Sequence, residues 1–136
     1  MQYIHCLDLL TDTTLSKTAK IFQHGNSQAV RLPKEFRISA STVSELHYGV
    51  AKSAKHRENA AALEEFLSRF ELLDYPVDAA EPYGRVRTEL EGAGKPIGNN
   101  DLLIAAHALA IGARVATANR GEFERVPGLK ALDWLS

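Results

Sequence analysis

Three features of the sequence predict an α/β protein, a parallel sheet covered by helices. From Arg37 onward, short apolar runs alternate with stretches whose apolar residues recur at helical spacing. Glycine and proline stops separate the two kinds of segment. The 136 residues are 45% hydrophobic and 24% charged, the balance of one globular domain with a real core.

Taken in order, Tyr3 to Leu10 is a short apolar stretch broken by His5 and Asp8, compatible with a strand, and Thr11 to Thr18 is polar and turn-like. Lys20-Ile21-Phe22-Gln23 and Gln28-Ala29-Val30-Arg31-Leu32 are strand-length runs. His24-Gly25-Asn26-Ser27 between them has hairpin-turn chemistry. Pro33 then marks the start of a short helix over Lys34-Glu35-Phe36. Arg37-Ile38-Ser39 reads as a brief strand, and Ser41 or Thr42 opens a helix through Val43, Leu46, Tyr48 and Val50. A second helix runs from about His56 to Phe70, and Leu72 to Tyr75 is a strand ending at Pro76. Asp78 begins a third helix that stops at Glu91-Gly92-Ala93-Gly94. Asn99 or Asn100 caps a fourth, Asp101 to Ala110, ending at Gly112. Arg114 to Thr117 is a strand, with a last short one between Leu129 and Trp134.

The charge distribution divides the chain. Residues 17–37 carry five basic side chains against Glu35 alone, a net of +4, whereas the whole chain is at −1. Two parts follow: an N-terminal arm and hairpin over 1–37, and the α/β body over 38–136. The single cysteine, Cys6, excludes an internal disulfide and a metal-finger spacing. Apolar runs are too short to span a bilayer, and MQYIHCLDLL lacks the basic n-region and cleavage site of a secretory signal. A cytoplasmic location fits these features. Ser41, Ser44 and Cys6 have no visible base partner for nucleophilic chemistry.

In a sheet of this kind working groups gather beyond the carboxyl ends of the strands. Ser39–Glu45, Pro96–Asp101 and Thr117–Glu122 are three such edges, and all carry carboxylates. Glu45 has a structural explanation, since Thr42-x-x-Glu45 is a possible capping box. Asp101 has one too, in the first turn of a helix whose unpaired N–H groups favour a carboxylate. Together, however, converging carboxylates call for a cation, and a hard ion such as Mg²⁺ or Mn²⁺ suits them. Asn119 is either a neutral ligand or water-orienting group, or an ordinary turn residue. Glu122 and Glu124 read as loop or rim charges. His47 and His107, inside helices without partners at ligand spacing, read as surface or packing residues.

The stretches Ile38-Ser39-Ala40-Ser41-Thr42-Val43-Ser44-Glu45-Leu46-His47-Tyr48-Gly49, Gly94 to Ala108 with Pro96-Ile97-Gly98-Asn99-Asn100-Asp101-Leu102-Leu103 at its centre, and Thr117-Ala118-Asn119-Arg120-Gly121-Glu122-Phe123-Glu124-Arg125-Val126-Pro127-Gly128-Leu129 are together distinctive. They resemble PIN-domain toxins of the VapC type, over residues 38–136. That resemblance implies a Mg²⁺-dependent (or Mn²⁺-dependent) endoribonuclease acting on RNA, dimeric, and neutralised by a cognate antitoxin in a type II toxin–antitoxin pair. It also implies a metal site of four positions: an Asp ending the first strand, then residues matching Glu45, Asp101 and Asn119. The usual opening, an apolar strand followed by Leu-Asp-Thr-Asn, is not evident. Residues 17–36 instead resemble the N-terminal half of a VapB-type (AbrB-like) antitoxin, which implies contacts to operator DNA through residues 17–37. Tyr3-Ile4-His5-Cys6-Leu7-Asp8 is a candidate replacement strand that would bring Asp8 to the metal site, with an irregular arm as the other reading. Loss of the first Asp would impair catalysis. The alternative function is a non-catalytic DNA-binding regulator or a decoy for an intact toxin or antitoxin.

Overall fold

Ile38 and Val115 have no exposed surface, and the strands carrying them form the middle of a five-stranded sheet. The computed structural model describes residues 37–117 and 119–133, together with the strand backbone alone at 6–8, 20–24, 27–31 and 36. Strand β4, Phe36–Ser39, pairs in parallel with β5, Glu71–Leu73, and β6, Arg114–Ala116, pairs in parallel with β7, Ala131–Leu132. Between β4 and β6 lies β1, Cys6–Asp8, antiparallel to both, so the order is β5-β4-β1-β6-β7. Four strands therefore run one way, as the alternation of strands and helices predicts, and β1 runs against them. Strands β2, Lys20–His24, and β3, Ser27–Arg31, form the expected hairpin as a separate two-stranded sheet. The turn-like stretch at 11–18 and the helical start at Pro33 to Glu35 lie outside the described residues.

Two short connections fix the helices over the sheet. Ser39 ends β4 in an extended conformation and is also the N-cap of α1, Ala40–Ala51, which buries Thr42 and Leu46 one turn apart. Helix α2, His56–Leu67, buries Leu63 and Leu67 with the same spacing. Leu46, Leu63 and Leu67 meet Ile38 and Ala116 in one cluster, with Phe66 and Phe70 packed against it. On the strand β6, Val115 joins a different cluster, with Val86, Leu90, Leu102, Ile104, Phe123 and Val126. Adjacent strand residues point to opposite faces, so each cluster belongs to one face of the sheet. Truncating a fully packed side chain such as Leu67 to alanine costs about 2–5 kcal/mol.

The second face is built from α3, Ala80–Gly92, and α4, Asn99–Ile111. A 3-10 turn at Val77–Ala79 leads into α3, where Pro82, Val86 and Leu90 recur every four residues on the buried side. Pro82 sits in the first turn, where a missing N–H forfeits no helical bond. Helix α4 is buried almost all round, from Leu102 through Ala108, which makes it the central helix of the layer. It stops at Gly112, whose φ of 69° lets the Ala113 N–H turn back to the Ala108 carbonyl at 2.8 Å. A side chain there would strain the backbone. At the edge of the sheet, the Arg37–Glu71 ion pair at 2.6 Å links directly opposite residues of β4 and β5.

Candidate metal centre

Glu45, Asn100, Asp101 and Glu122 are brought to the carboxyl end of β4 and β6 by three separate helix starts. Glu45 lies on α1, and the capping-box explanation for it does not hold. The N-cap is Ser39, not Thr42, and it makes no side-chain cap bond. Glu45 Oε1 instead accepts a hydrogen bond from Asn100 Nδ2 at 3.0 Å, across the gap between α1 and α4. The same bond corrects the assignment of an asparagine cap on α4: the N-cap there is Gly98, with no side-chain cap bond, and Asn100 faces Glu45.

Asp101, in the first turn of α4, meets Glu122. Glu122 belongs to α5, Arg120–Phe123, a one-turn helix that the sequence did not suggest because its only apolar side chain is Phe123. Phe123 has no exposed surface, and its burial under α4 anchors the turn. Glu122 is pushed up to about 7 from 4.5, first by its hydrogen bond with the Asp101 carboxyl, then by burial, then by the Asp101 charge. The Gly98 backbone N–H and the Arg125 charge oppose the rise. Its Oε2 is buried and meets no hydrogen-bond donor among the described residues. Glu122 is thus no rim charge, whereas Glu124 is, exposed and paired with Arg120 at 2.9 Å. The signal for Glu122 was its spacing after the sheet edge at Thr117.

Asn119 is the N-cap of α5, half-buried, and its backbone N–H donates to Thr117 Oγ1 at 2.9 Å. This places it at the same edge without a cap bond from its own side chain. Ser39, with no exposed surface, holds an unpartnered Oγ there as well. Asp8 is not brought to the edge. Its backbone lies opposite Phe36 and Arg114, at the amino ends of β4 and β6. Ser39 is three residues further along β4, about 10 Å away at ~3.3 Å per residue. The expectation that a β1 strand would deliver Asp8 to Glu45 and Asp101 therefore fails on direction: the strand forms, but antiparallel. His47 is exposed and His107 is buried with its ring edge-on to Tyr75, in keeping with the surface and packing roles expected of them.

Among the described residues, no three His, Cys, Asp or Glu side chains stand close enough together to form a complete cation cage. The Asp101–Glu122 pair nevertheless has the chemistry of a Mg²⁺ or Mn²⁺ site. Both are hard oxygen donors, their hydrogen bond and mutual repulsion raise the Glu122 pKa, and one buried Glu122 oxygen lacks a partner among the described residues. Mg²⁺ commonly takes only one or two carboxylates and keeps its waters, so a full cage is not required. Glu45, oriented by Asn100, stands at the same edge of the sheet.

An open α/β sheet with a carboxylate pair beyond its carboxyl edge defines the class of protein: an α/β domain with an acidic site at the carboxyl edge of its sheet. The sequence profile of the PIN domain matches residues 7–129, and this chain belongs to that family. It is 43% identical over 111 residues to "Ribonuclease VapC2" of Rickettsia felis, which spans 82% of this chain and 83% of that protein. It is 46% identical over 97 residues to "tRNA(fMet)-specific endonuclease VapC" of Salmonella typhimurium, covering 71% of this chain and 74% of that protein. Among solved structures, VapBC2 from Rickettsia felis bound to a DNA fragment from its promoter superposes with a TM-score of 0.70 at 48% identity, over 72% of this chain and 74% of that one. VapBC-1 from nontypeable Haemophilus influenzae gives 0.68 at 36% identity, over 72% and 73%. Among the described residues, no helix is long and apolar enough to cross a membrane.

Proposed function

We propose that the chain is a metal-dependent endoribonuclease-type toxin of a type II toxin–antitoxin pair, with Asp101 and Glu122 holding Mg²⁺ or Mn²⁺ and Glu45 acting through a metal-bound water. The observation that carries this reading is the hydrogen-bonded Asp101–Glu122 carboxyl pair at the carboxyl edge of the sheet. The bound ion would activate water and offset charge building on a phosphodiester. Asn100 keeps the Glu45 carboxylate turned toward α4, and Asn119 orients water at the rim. Because Asp8 lies at the far end of β1, the ion has fewer direct carboxylate ligands than the resemblance implies, and cleavage is correspondingly slow. The relatives' names favour RNA, a tRNA among them, as the substrate class. Complexes of similar VapC chains with VapB and DNA favour a cognate antitoxin and operator DNA as partners here, and the family resemblance implies a homodimer.

The test is cleavage of total tRNA and single-stranded RNA with added Mn²⁺ or Mg²⁺. Slow cleavage that stops with EDTA, and falls at least ~100-fold in Asp101→Asn, supports the reading. Metal-independent cleavage, or equal rates in Asp101→Asn, overturns it.

A second reading, a regulator acting on DNA without catalysis, has one observation in its favour. Among the described residues the β2–β3 hairpin pairs only with itself, and it lies within the +4 stretch at residues 17–37. Operator binding retained in Asp101→Asn, with no RNA cleavage by the unaltered chain, would favour it.

A further inference from the structure

We propose that Arg125 is a substrate-binding residue, a cation that takes the RNA phosphate next to the carboxylate pair. The inference rests on the nuclease reading above and deepens it.

A polyanion approaching two or three carboxylates is repelled unless a positive group stands beside them. Three arginines lie near the candidate site in sequence or space, and their surroundings differ. Arg120 is neutralised by Glu124 at 2.9 Å. Arg114 is nine-tenths buried at the amino end of β6, the wrong edge of the sheet. Arg125 is exposed, and among the described residues it makes no salt bridge. Its Nη1 donates instead to the Pro96 carbonyl at 3.1 Å, a neutral acceptor, so the guanidinium is not held by a carboxylate at ion-pair distance among the described residues.

Geometry places that charge at the site. The turn after α5 continues helically, with the Arg125 N–H on the Glu122 carbonyl at 3.2 Å, so Glu122 and Arg125 share one face. The Pro96 bond fixes the side chain against the loop that leads into α4 and Asp101. Glu122 registers the nearby charge, since Arg125 is among the groups that hold its acidity up. A guanidinium has five N–H donors in a planar fork, so one bond to Pro96 leaves others for a phosphate. Lysine lacks that fork and holds a phosphate as a point charge only.

The experiment uses the full chain and a fluorescein-labelled, uncleavable 2′-O-methyl RNA oligomer, read by anisotropy over a series of salt concentrations. Arg125→Ala should weaken binding roughly 5- to 10-fold and lower the slope of log affinity against log salt by about 0.7, the loss of one single-strand phosphate contact. Arg125→Lys should keep the slope and lose part of the affinity. Mn²⁺ affinity, measured by calorimetry, should stay within about twofold in both variants, because the cation acts on RNA and not on the metal ligands. Unchanged affinity and slope in Arg125→Ala would overturn the proposal. So would an equal loss of Mn²⁺ affinity, which would make Arg125 a support for Glu122 alone. Binding by the unaltered chain without any metal-dependent cleavage would sink the nuclease reading, and the variants' slopes would still decide whether Arg125 meets the phosphate.

Discussion

Replacing Glu122 by glutamine tests the carboxylate pair directly. In the metal-free chain Glu122 titrates at about 7 and not 4.5, because it is hydrogen-bonded to Asp101 in a partly buried site. A carboxyl whose folded value is raised contributes stability below its unfolded pKa, and that contribution is lost as pH rises through the folded value. The window is therefore pH 4.5 to about 7, with stability falling as pH rises. A difference of roughly 2.5 at 1.36 kcal/mol per unit sets a ceiling near 3.4 kcal/mol. Glu122 retains contact with water, and screening brings the expected effect to about 1–2 kcal/mol. At ~2.1 cal/mol/K per residue, a chain of this length loses about 3–7 °C of melting temperature for that change. Thermal melts in EDTA from pH 4.5 to 8 should show the unaltered chain losing this much more than Glu122→Gln. Added Mn²⁺ at pH 8 should return most of it to the unaltered chain and little to the variant, since a cation replaces the Glu122 proton. Parallel melting curves for the two proteins, or no metal effect at pH 8, would refute the reasoning. The comparison between variants matters because a second group titrates nearby in pH.

That group is His107, 1% exposed, with Nδ1 meeting no hydrogen-bond partner among the described residues and its pKa held down by desolvation. Its neutral form is favoured by folding, so stability is present above the ordinary histidine value and falls as pH drops below it. Melts of His107→Leu from pH 7 to 5 should show a shallower acid loss than the unaltered chain, and an identical loss would exclude His107 as the cause. At the site itself, Asn100→Ala should weaken Mn²⁺ binding about tenfold by releasing the Glu45 carboxylate. Because Asn100 is exposed, the variant's stability in EDTA should stay within about 0.5 kcal/mol, and an unchanged Mn²⁺ affinity would show that Glu45 needs no such support.

Helical periodicity made most of the fold legible. The buried residues of α2 and α3 recur at the spacing that marked them in the sequence, and the Gly112 stop needs a positive φ that only glycine takes easily. Caps were read less well. Asn99 and Asn100 carry the usual cap side chains, yet Gly98 takes the position because Asn100 is used across the cleft. The single turn holding Glu122 escaped because four residues with one aromatic give no period to detect; only the fit of Phe123 beneath α4 creates the helix. Local pattern can name the residues of an element but cannot see a tertiary contact that exists only once the sheet is closed.

Direction is the other thing a short strand does not declare. Cys6-Leu7-Asp8 has the apolar content to fill the slot between β4 and β6, and it does fill it. Three residues pair about as well either way round, since antiparallel ladders are slightly stronger per residue and no turn or register device in the segment demands a parallel entry. The side of the sheet that receives the carboxylate is decided by that choice alone. Antiparallel entry sets the Asp8 backbone opposite Arg114, at the amino end of β6, and leaves the carboxyl edge to Glu45, Asp101 and Glu122. The strand thus completes the sheet without completing the metal site, which is why a folded and stable chain is expected here alongside slow chemistry.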